Sequence, residues 1–390
     1  MRLQTIRYAE HPSTLQEWGY DELPLGTINL IAGKNASGKT RILNSIGNLG
    51  LLLAGQIPRS RLAAVCRATF ATEANTYSFS LSFRDGNVSS ETLEINGKPM
   101  LQRDETGTGT IWAEKLGQML DFEIPATELI TARRDAIQHS FLQPLHSWGD
   151  SVRLYRFSGR FGKGEGIILP HEELSPIPPA VLRQDTHRAF RDAMRKNATR
   201  FQEVMLADML RLGYPLRNLR LAPSDHVKID GPHEFQVLIA EEEGLAAPIE
   251  QIGMSLGMYR ALALLIHVNR GLLFDFPSCL IIDDIGEGLD FERAVALVDL
   301  LIEKANQATE TGLPLQLVLS TNDRHVMNRI PLDHWSLIHR QGGHCRIYSK
   351  THDEKLFKRF RFTGLSNFDL LATDFINVVE KEQSPEPALP

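Results

Sequence analysis

Residues 33–40 read GKNASGKT, a set of side chains suited to gripping a chain of phosphates. Gly33 and Gly38 let the backbone curl so that successive N–H groups, across Lys34, Asn35, Ala36 and Ser37, converge on one anion. Lys39 is placed to reach the outer phosphate oxygens, Thr40 to offer its hydroxyl to Mg²⁺, and Arg41 to complete the contact set. An apolar run at residues 28–32 precedes the string and an amphipathic run at 41–54 follows it, so it lies between a strand and a helix. The positive end of that helix faces the same anion. A turn with a surface lysine leaves these flanks unexplained, and the expected ligand is a nucleoside triphosphate with Mg²⁺.

Two further groups could act on such a ligand. Residues 279–284, CLIIDD, form an apolar run that ends in paired carboxylates, the pattern of a buried strand delivering acids to the carboxyl edge of a sheet. Asp283 suits the Mg²⁺ shell, and Asp284 suits an attacking water that must be oriented or deprotonated. Upstream, QIGMSLGMYRALALLIHV places Ser255 and Gly257 at the start of a helix whose apolar positions include Leu262, Leu265 and Val268, with Arg260 about one turn in. A serine hydroxyl and a bare glycine backbone there make either a second phosphate-gripping surface or an ordinary cap.

The elements that position these groups can be sketched from pattern. Residues 3–8 and 27–32 read as strands, with loop or edge structure between them. In residues 76–97, Tyr77, Phe79, Leu81 and Phe83 share one face, Leu93 and Ile95 lie on a return strand, and Asp85 and Gly86 make the turn. Residues 128–131 read as a further short core strand. From about residue 138 the character changes to a Gly-rich loop at 158–166 and then helical spacing at 185–212, where Phe190, Met194, Phe201, Met205 and Met209 mark a packing face. Arg183, Arg188, Arg191, Arg195, Lys196 and Arg200 of this inserted arm suit phosphate contacts or, with Asp185, Asp192 and Glu203 interleaved, a solvated face. Residues 350–371 mix Lys355, Lys358, Arg359 and Arg361 with Phe357, Phe360, Phe362 and Phe368, either a docking or nucleic-acid surface or a closing strand with its aromatic face in the core. The resulting organisation is an N-terminal lobe at 1–137, an inserted helical arm at 138–229, a C-terminal lobe at 230–375 and a disordered tail at 376–390.

Composition narrows the setting. With 390 residues, 42% of them hydrophobic, the chain can fill the core of one large α/β fold or of two lobes. A net charge of −6 argues against a protein that coats nucleic acid nonspecifically. Cys66, Cys279 and Cys345 lie far apart and suggest neither a zinc hook nor a disulfide framework, and the 13 histidines show no metal-ligand spacing. No apolar run approaches the ~20 residues that span a bilayer, and the N-terminus lacks a signal-peptide pattern, so a cytoplasmic protein with no membrane association is expected.

In this order the motifs resemble those of the ABC-type ATPases, specifically the soluble SMC-like and OLD-like branch, over about residues 3–48 and 230–330. The resemblance implies an α/β P-loop NTPase of ABC-ATPase type, with a mixed central sheet, an antiparallel β layer and the helical arm. It implies ATP and Mg²⁺ as ligands, hydrolysis to ADP and phosphate, and a head-to-tail homodimer or higher oligomer in which Ser255 and Gly257 contact the γ-phosphate held by the opposite subunit. Gly288-Leu289-Asp290 resembles the family's D-loop, which crosses the dimer seam, and residues 315–327 resemble its switch strand. For the family's Q-loop glutamine, Gln138 and Gln143 are the candidates.

The chain departs from the family at two positions. Asp284 stands where a glutamate is usual, with Glu287 able to share its role, and Asn322 replaces the switch histidine, with His325 one turn away. Both departures predict slow hydrolysis and a long-lived ATP state, which suits a switch or clamp. Three uses of that state are expected to compete. The first is control of a separately encoded effector, resembling the ATPase subunits of two-component bacterial phage-defence systems, since the chain leaves no room for a nuclease module after the ATPase core. The second is SMC-like DNA repair or recombination, with nucleic acid as partner, against which stand the missing heptads. The third is a transporter nucleotide-binding subunit, disfavoured by the lack of an LSGGQ string.

Overall fold

The computed structural model describes residues 1–57, 63–133, 135–159, 161–169, 179–227, 234–313, 315–373 and 375–376. The predicted tail, apart from Ile376, lies outside the described residues. The chain opens with β1 (Arg2–Glu10), β2 (Trp18–Pro24), β3 (Ile28–Gly33) and α1 (Lys39–Leu53). An antiparallel run follows: β4 (Ala64–Ala71), β5 (Thr76–Arg84), β6 (Asn87–Ile95), β7 (Lys98–Arg103), β8 (Thr108–Ala113) and β9 (Gln118–Glu123). Next come α2 (Gln143–Ser151), β10 (Val152–Arg156), β11 (Ile167–Leu169), α3 (Pro179–Leu182), α4 (Thr186–Arg211), β12 (Leu216–Pro223), β13 (Glu234–Glu242) and β14 (Ile249–Glu250). The remainder holds α5 (Leu256–Arg270), β15 (Cys279–Asp283), α6 (Phe291–Glu310), β16 (Gln316–Ser320) and α7 (Arg324–Arg329). It closes with β17 (Trp335–Gln341), β18 (His344–Ser349), α8 (Glu354–Arg361) and α9 (Asp369–Ala372).

Two compact units result: Met1–Leu154, Ser278–Ile281 and Ala305–Pro390 form the first, Tyr155–Pro277 and Ile282–Lys304 the second. The large mixed sheet runs in the order β10-β15-β16-β3-β17-β18-β2-β1-β4-β5-β6-β7-β8-β9, and the smaller sheet of the second unit in the order β11-β13-β12, with β14 on β13. Every residue of β3 is buried, as expected of a strand with parallel neighbours on both sides. The hairpin layer follows its alternation: Tyr77, Phe79, Leu81, Phe83 and Leu93 are buried, and Asp85 and Gly86 turn the chain with φ of 51° and 75°, both left-handed as a two-residue hairpin requires. Among the described residues no helix is long and apolar enough to cross a membrane.

Three readings need correction. The polar stretch before the phosphate loop contains β2, an interior strand between β1 and β18, with Trp18, Tyr20 and Leu23 buried. Residues 128–131 form no strand. Their core placement comes instead from Glu91, whose fully buried carboxylate accepts the N–H groups of Ile130 and Thr131, each at 2.9 Å, and the Thr131 hydroxyl at 2.6 Å. Arg103 stands 3.6 Å from the same carboxylate, equally buried, and donates to the carbonyls of Pro125 (3.1 Å) and Glu128. Glu91→Gln keeps the shape but leaves that guanidinium without its counter-charge, and is expected to cost about 2–3 kcal/mol, read as a lowered urea midpoint. An unchanged midpoint would contradict this account of the segment. Finally, the basic and aromatic C-terminal stretch is helical over α8: Leu356, Phe357 and Phe360 are buried, Phe362 is exposed, and Lys358 and Arg361 pair with Glu354 and Asp333.

In the second unit α4 packs on α5, and Phe190, Phe201, Met205 and Met209 of the predicted face are buried while Met194 is half-buried. The helix kinks at Asn197 (φ −161°, ψ 88°), whose side chain accepts the Arg200 N–H and so caps the second half as a fresh start. Three residues of its basic row are engaged by its own acids: Arg188 with Asp185 at 3.2 Å, Lys196 with Asp192 at 3.3 Å and Arg200 with Glu203 at 3.8 Å. His187, beside this row, is buried and shares a 2.7 Å hydrogen bond with Gln251. Burial lowers its pKa, opposed by the bond to Gln251 and by the charge of Asp185. The unfolded chain therefore takes up a proton before the folded one, and stability is lost as pH falls below about 6.5, by up to about 1.4 kcal/mol per unit. Thermal midpoints between pH 7.5 and 5.5 should fall more steeply for the wild type than for His187→Gln; equal slopes would exclude this histidine.

Candidate nucleotide site

In the first unit β3 pairs in parallel with β16, Ser320 opposite Ile31, and with β17, Ile338 opposite Gly33. Residues 33–38 leave this sheet at its carboxyl edge, with Ala36 and Gly38 in the left-handed region at φ 61° and 105°. A Cβ on Gly33 would stand 2.6 Å from Ser37 Oγ, and one on Gly38 would meet the Trp18 ring at 3.0 Å. Both positions exclude a side chain, which is what a backbone cradle needs. Among the described residues no side chain caps α1 and the buried Ser37 hydroxyl has no hydrogen-bond partner, so the first turn presents its N–H groups to an incoming anion.

Lys39 is buried and arches back over the loop, its Nζ donating to the Gly33 carbonyl at 2.8 Å and the Lys34 carbonyl at 3.3 Å. Thr40 stands in the same first turn. Arg41 pairs with Glu10 and lies 4.2 Å over the Trp18 ring. Two residues that sequence reasoning missed brace the loop: Arg340 donates to the Ala36 carbonyl at 3.0 Å, and the Cys345 thiol to that of Ser37 at 3.3 Å. An open pocket of about 340 Å³ lies against Lys34, Asn35, Ala36 and Ser37. Asn322 follows β16 by two residues, exposed at the edge where Gly33 ends β3, and Asp323 next to it caps α7 by accepting the His325 and Val326 N–H groups at 2.7 and 3.1 Å. Unit one thus brings the phosphate loop and Asn322 to one sheet edge.

The second unit holds Asp283, Asp284, Ser255, Gly257, Glu287 and Asp290. Asp283 is buried at the end of β15, its carbonyl accepting the Phe157 N–H at 2.9 Å. Asp284 has φ 55°, a left-handed conformation that aspartate adopts more readily than most side chains, which gives a physical reason for the shorter acid here. Ser255 is the exposed N-cap of α5, where its Oγ accepts the Met258 N–H at 3.1 Å. Gly257 is buried, and a Cβ there would stand 2.4 Å from the Gly288 carbonyl, so the 286–290 turn lies directly on the start of the helix. Asp290 caps α6 by accepting the Arg293 N–H at 3.0 Å and pairs with the Arg293 guanidinium, and these bonds hold its carboxyl below the ordinary range. Glu287 is exposed, and its carbonyl accepts from Arg260. Of the Q-loop candidates, both in the first unit, Gln138 lies before α2, its carbonyl accepting the Glu114 N–H at 3.0 Å, and Gln143 begins α2 and donates to Ser147 at 3.2 Å.

Of the two residues predicted to hold Mg²⁺ together with phosphate oxygens and water, Thr40 belongs to the first unit and Asp283 to the second. Among the described residues no group of three His, Cys, Asp or Glu side chains is arranged to hold a metal. Burial pushes the Cys66 and Cys279 thiols up to about 12, which makes them inert.

No protein-family model and no curated protein matches the sequence. Among solved structures, the chain is similar to an SMC head bound to the C-winged helix domain of ScpA, with 14% identity and a TM-score of 0.51 over 91% of this chain and 100% of that one. Two others are an Smc head with an extended coiled coil bound to the C-terminal domain of ScpA derived from Pyrococcus furiosus (12%, 0.49, 92% and 99%) and the SMC head domain from Thermotoga maritima (14%, 0.45, 90% and 99%). The first comparison shows that the chain has the fold of an SMC head.

Proposed function

We propose that the protein is a slow ATPase of the ABC type whose ATP-bound state joins two copies head to tail and controls a separately encoded effector, in the manner of bacterial phage-defence systems. The observation that carries this reading is the loop at residues 33–40, a glycine-enforced backbone cradle at an uncapped helix start with a buried lysine folded across it. With nucleotide bound, Lys39 would exchange its carbonyl partners for phosphate oxygens, and Thr40 and Asp283 would hold Mg²⁺, which would supply charge neutralisation. Asp284 orients the attacking water, while Asn322 offers a hydrogen bond without a proton to shuttle. Ser255 and Gly257 of the partner copy cap the γ-phosphate, and Asp290 lies at the seam.

Asp284→Ala is expected to lower ATP turnover about 100-fold while leaving nucleotide-driven association intact, measured by phosphate release and light scattering on one sample. Turnover equal to the wild type would remove Asp284 from the mechanism.

The shared fold with an SMC head supports a second reading, an ATPase that acts on DNA. On α4 the pairing of Arg188, Lys196 and Arg200 with acids favours the effector reading, because phosphates would have to compete with partners already in place. Duplex DNA that stimulates turnover, with a steep loss on raising salt, would reverse the order of the two. The SMC head in the comparison carries a winged-helix domain of a second protein, which supports a protein partner for this chain under either reading.

A further inference from the structure

Arg260 sits in α5, nearly all of whose residues are buried, one turn past Ser255. Its guanidinium is buried, and each of its three nitrogens donates to a main-chain carbonyl: Nε to Gly159 at 3.1 Å, Nη2 to Ser158 at 2.5 Å and Nη1 to Glu287 at 3.0 Å. Gly288 lets the chain approach this closely, since a Cβ there would stand 2.9 Å from Nη1 and its φ of +83° disfavours any side chain. The Glu287 carboxylate is 3.9 Å away and more than half exposed, so carbonyl dipoles carry most of the compensation. An apolar residue would leave all three carbonyls without this donor, so one side chain holds two separate segments against α5.

The three carbonyls belong to two segments with different tasks. Ser158 and Gly159 follow Phe157, whose N–H is bonded to Asp283. Glu287 lies within the 284–290 turn that also carries Asp284 and Asp290. One fork therefore joins the helix that begins at Ser255 to both sides of the acid-bearing turn. We propose that Arg260 is a positioning residue that couples the signature serine to the acids of the same copy: engagement of Ser255 by the partner's triphosphate moves α5, and the guanidinium passes that movement to Asp283 and Asp284. This rests on the head-to-tail reading above, and it makes hydrolysis at the two sites of a dimer interdependent. The fork geometry is essential, because a lysine ammonium keeps the charge but cannot span three carbonyls.

ATP turnover is measured against ATP concentration for the wild type, Arg260→Lys, Arg260→Gln and Ser255→Arg, with nucleotide affinity and ATP-driven light scattering on the same samples. The wild type is expected to show a Hill coefficient of about 2. Both Arg260 variants should bind nucleotide within about twofold of the wild type and still associate, yet show a Hill coefficient of about 1 and turnover lowered about tenfold. Should Arg260→Gln fail to fold, Arg260→Lys carries the test. Full cooperativity in Arg260→Lys overturns the coupling role while the head-to-tail reading stands. A wild type that neither associates with ATP nor responds to Ser255→Arg overturns that reading, and the role of Arg260 with it.

Discussion

Lys39→Ala is expected to lower kcat/KM for ATP about 10³-fold, the loss that follows when a preorganised charge is removed from a developing anion. Lys39 Nζ already lies within the loop, on the carbonyls of Gly33 and Lys34, so little rearrangement separates its resting position from one on a phosphate. Removing it takes away the only cation within GKNASGKT that is buried, since Lys34 is exposed. The fold should survive: position 39 opens α1, and alanine is the strongest helix former. Circular dichroism should therefore be unchanged while binding of a fluorescent ATP analogue disappears. If phosphate release persists at the wild-type rate in such a folded variant, the turnover belongs to another site and the loop is not where the nucleotide acts.

The legibility of this site follows from how local its physics is. The strand, glycine turn and helix around residues 33–40 could be read because glycines, a lysine and flanking apolar runs within 20 residues define them, and the Asp85-Gly86 hairpin because its turn chemistry and alternation are contiguous. β2 escaped because Asp21 and Glu22 interrupt its alternation and because its register with β1 shifts between Ile6 and Tyr8. Leu129 and Ile130 signalled burial correctly, yet the N–H groups of Ile130 and Thr131 are taken up by a carboxylate at position 91, which no pattern within the segment could reveal. In α8 the spacing of Leu356, Phe357 and Phe360 fits a helix better than a strand, and the crowding of aromatic residues hid that period. Arg260 was visible as an arginine in an apolar helix, but its role depends on carbonyls roughly 100 and 27 residues distant in sequence. The positive φ of Asp284 is likewise a property of the folded turn.

Ser255→Arg is the complementary case, in which nucleotide binding survives and assembly does not. Losing the cap from α5 costs about 1 kcal/mol, which the burial of that helix along nearly its whole length can absorb. At the exposed cap itself, a long cationic side chain occupies the space where the partner's γ-phosphate is proposed to dock. Affinity of the ATP-driven association is expected to fall at least about 100-fold, as for loss of a central interface contact, and light scattering with and without ATP reads it directly. Mixing gives a sharper test, because Lys39→Ala and Ser255→Arg each disable a different half of a shared site. A head-to-tail pair made of one copy of each retains one intact site, built from Lys39 of the Ser255→Arg copy and Ser255 of the Lys39→Ala copy. The mixture should therefore recover ATP-driven association that neither variant shows alone. If each nucleotide were held within a single copy, no mixture could recover it, and silence in this experiment would refute the shared site even if each variant alone behaved as expected.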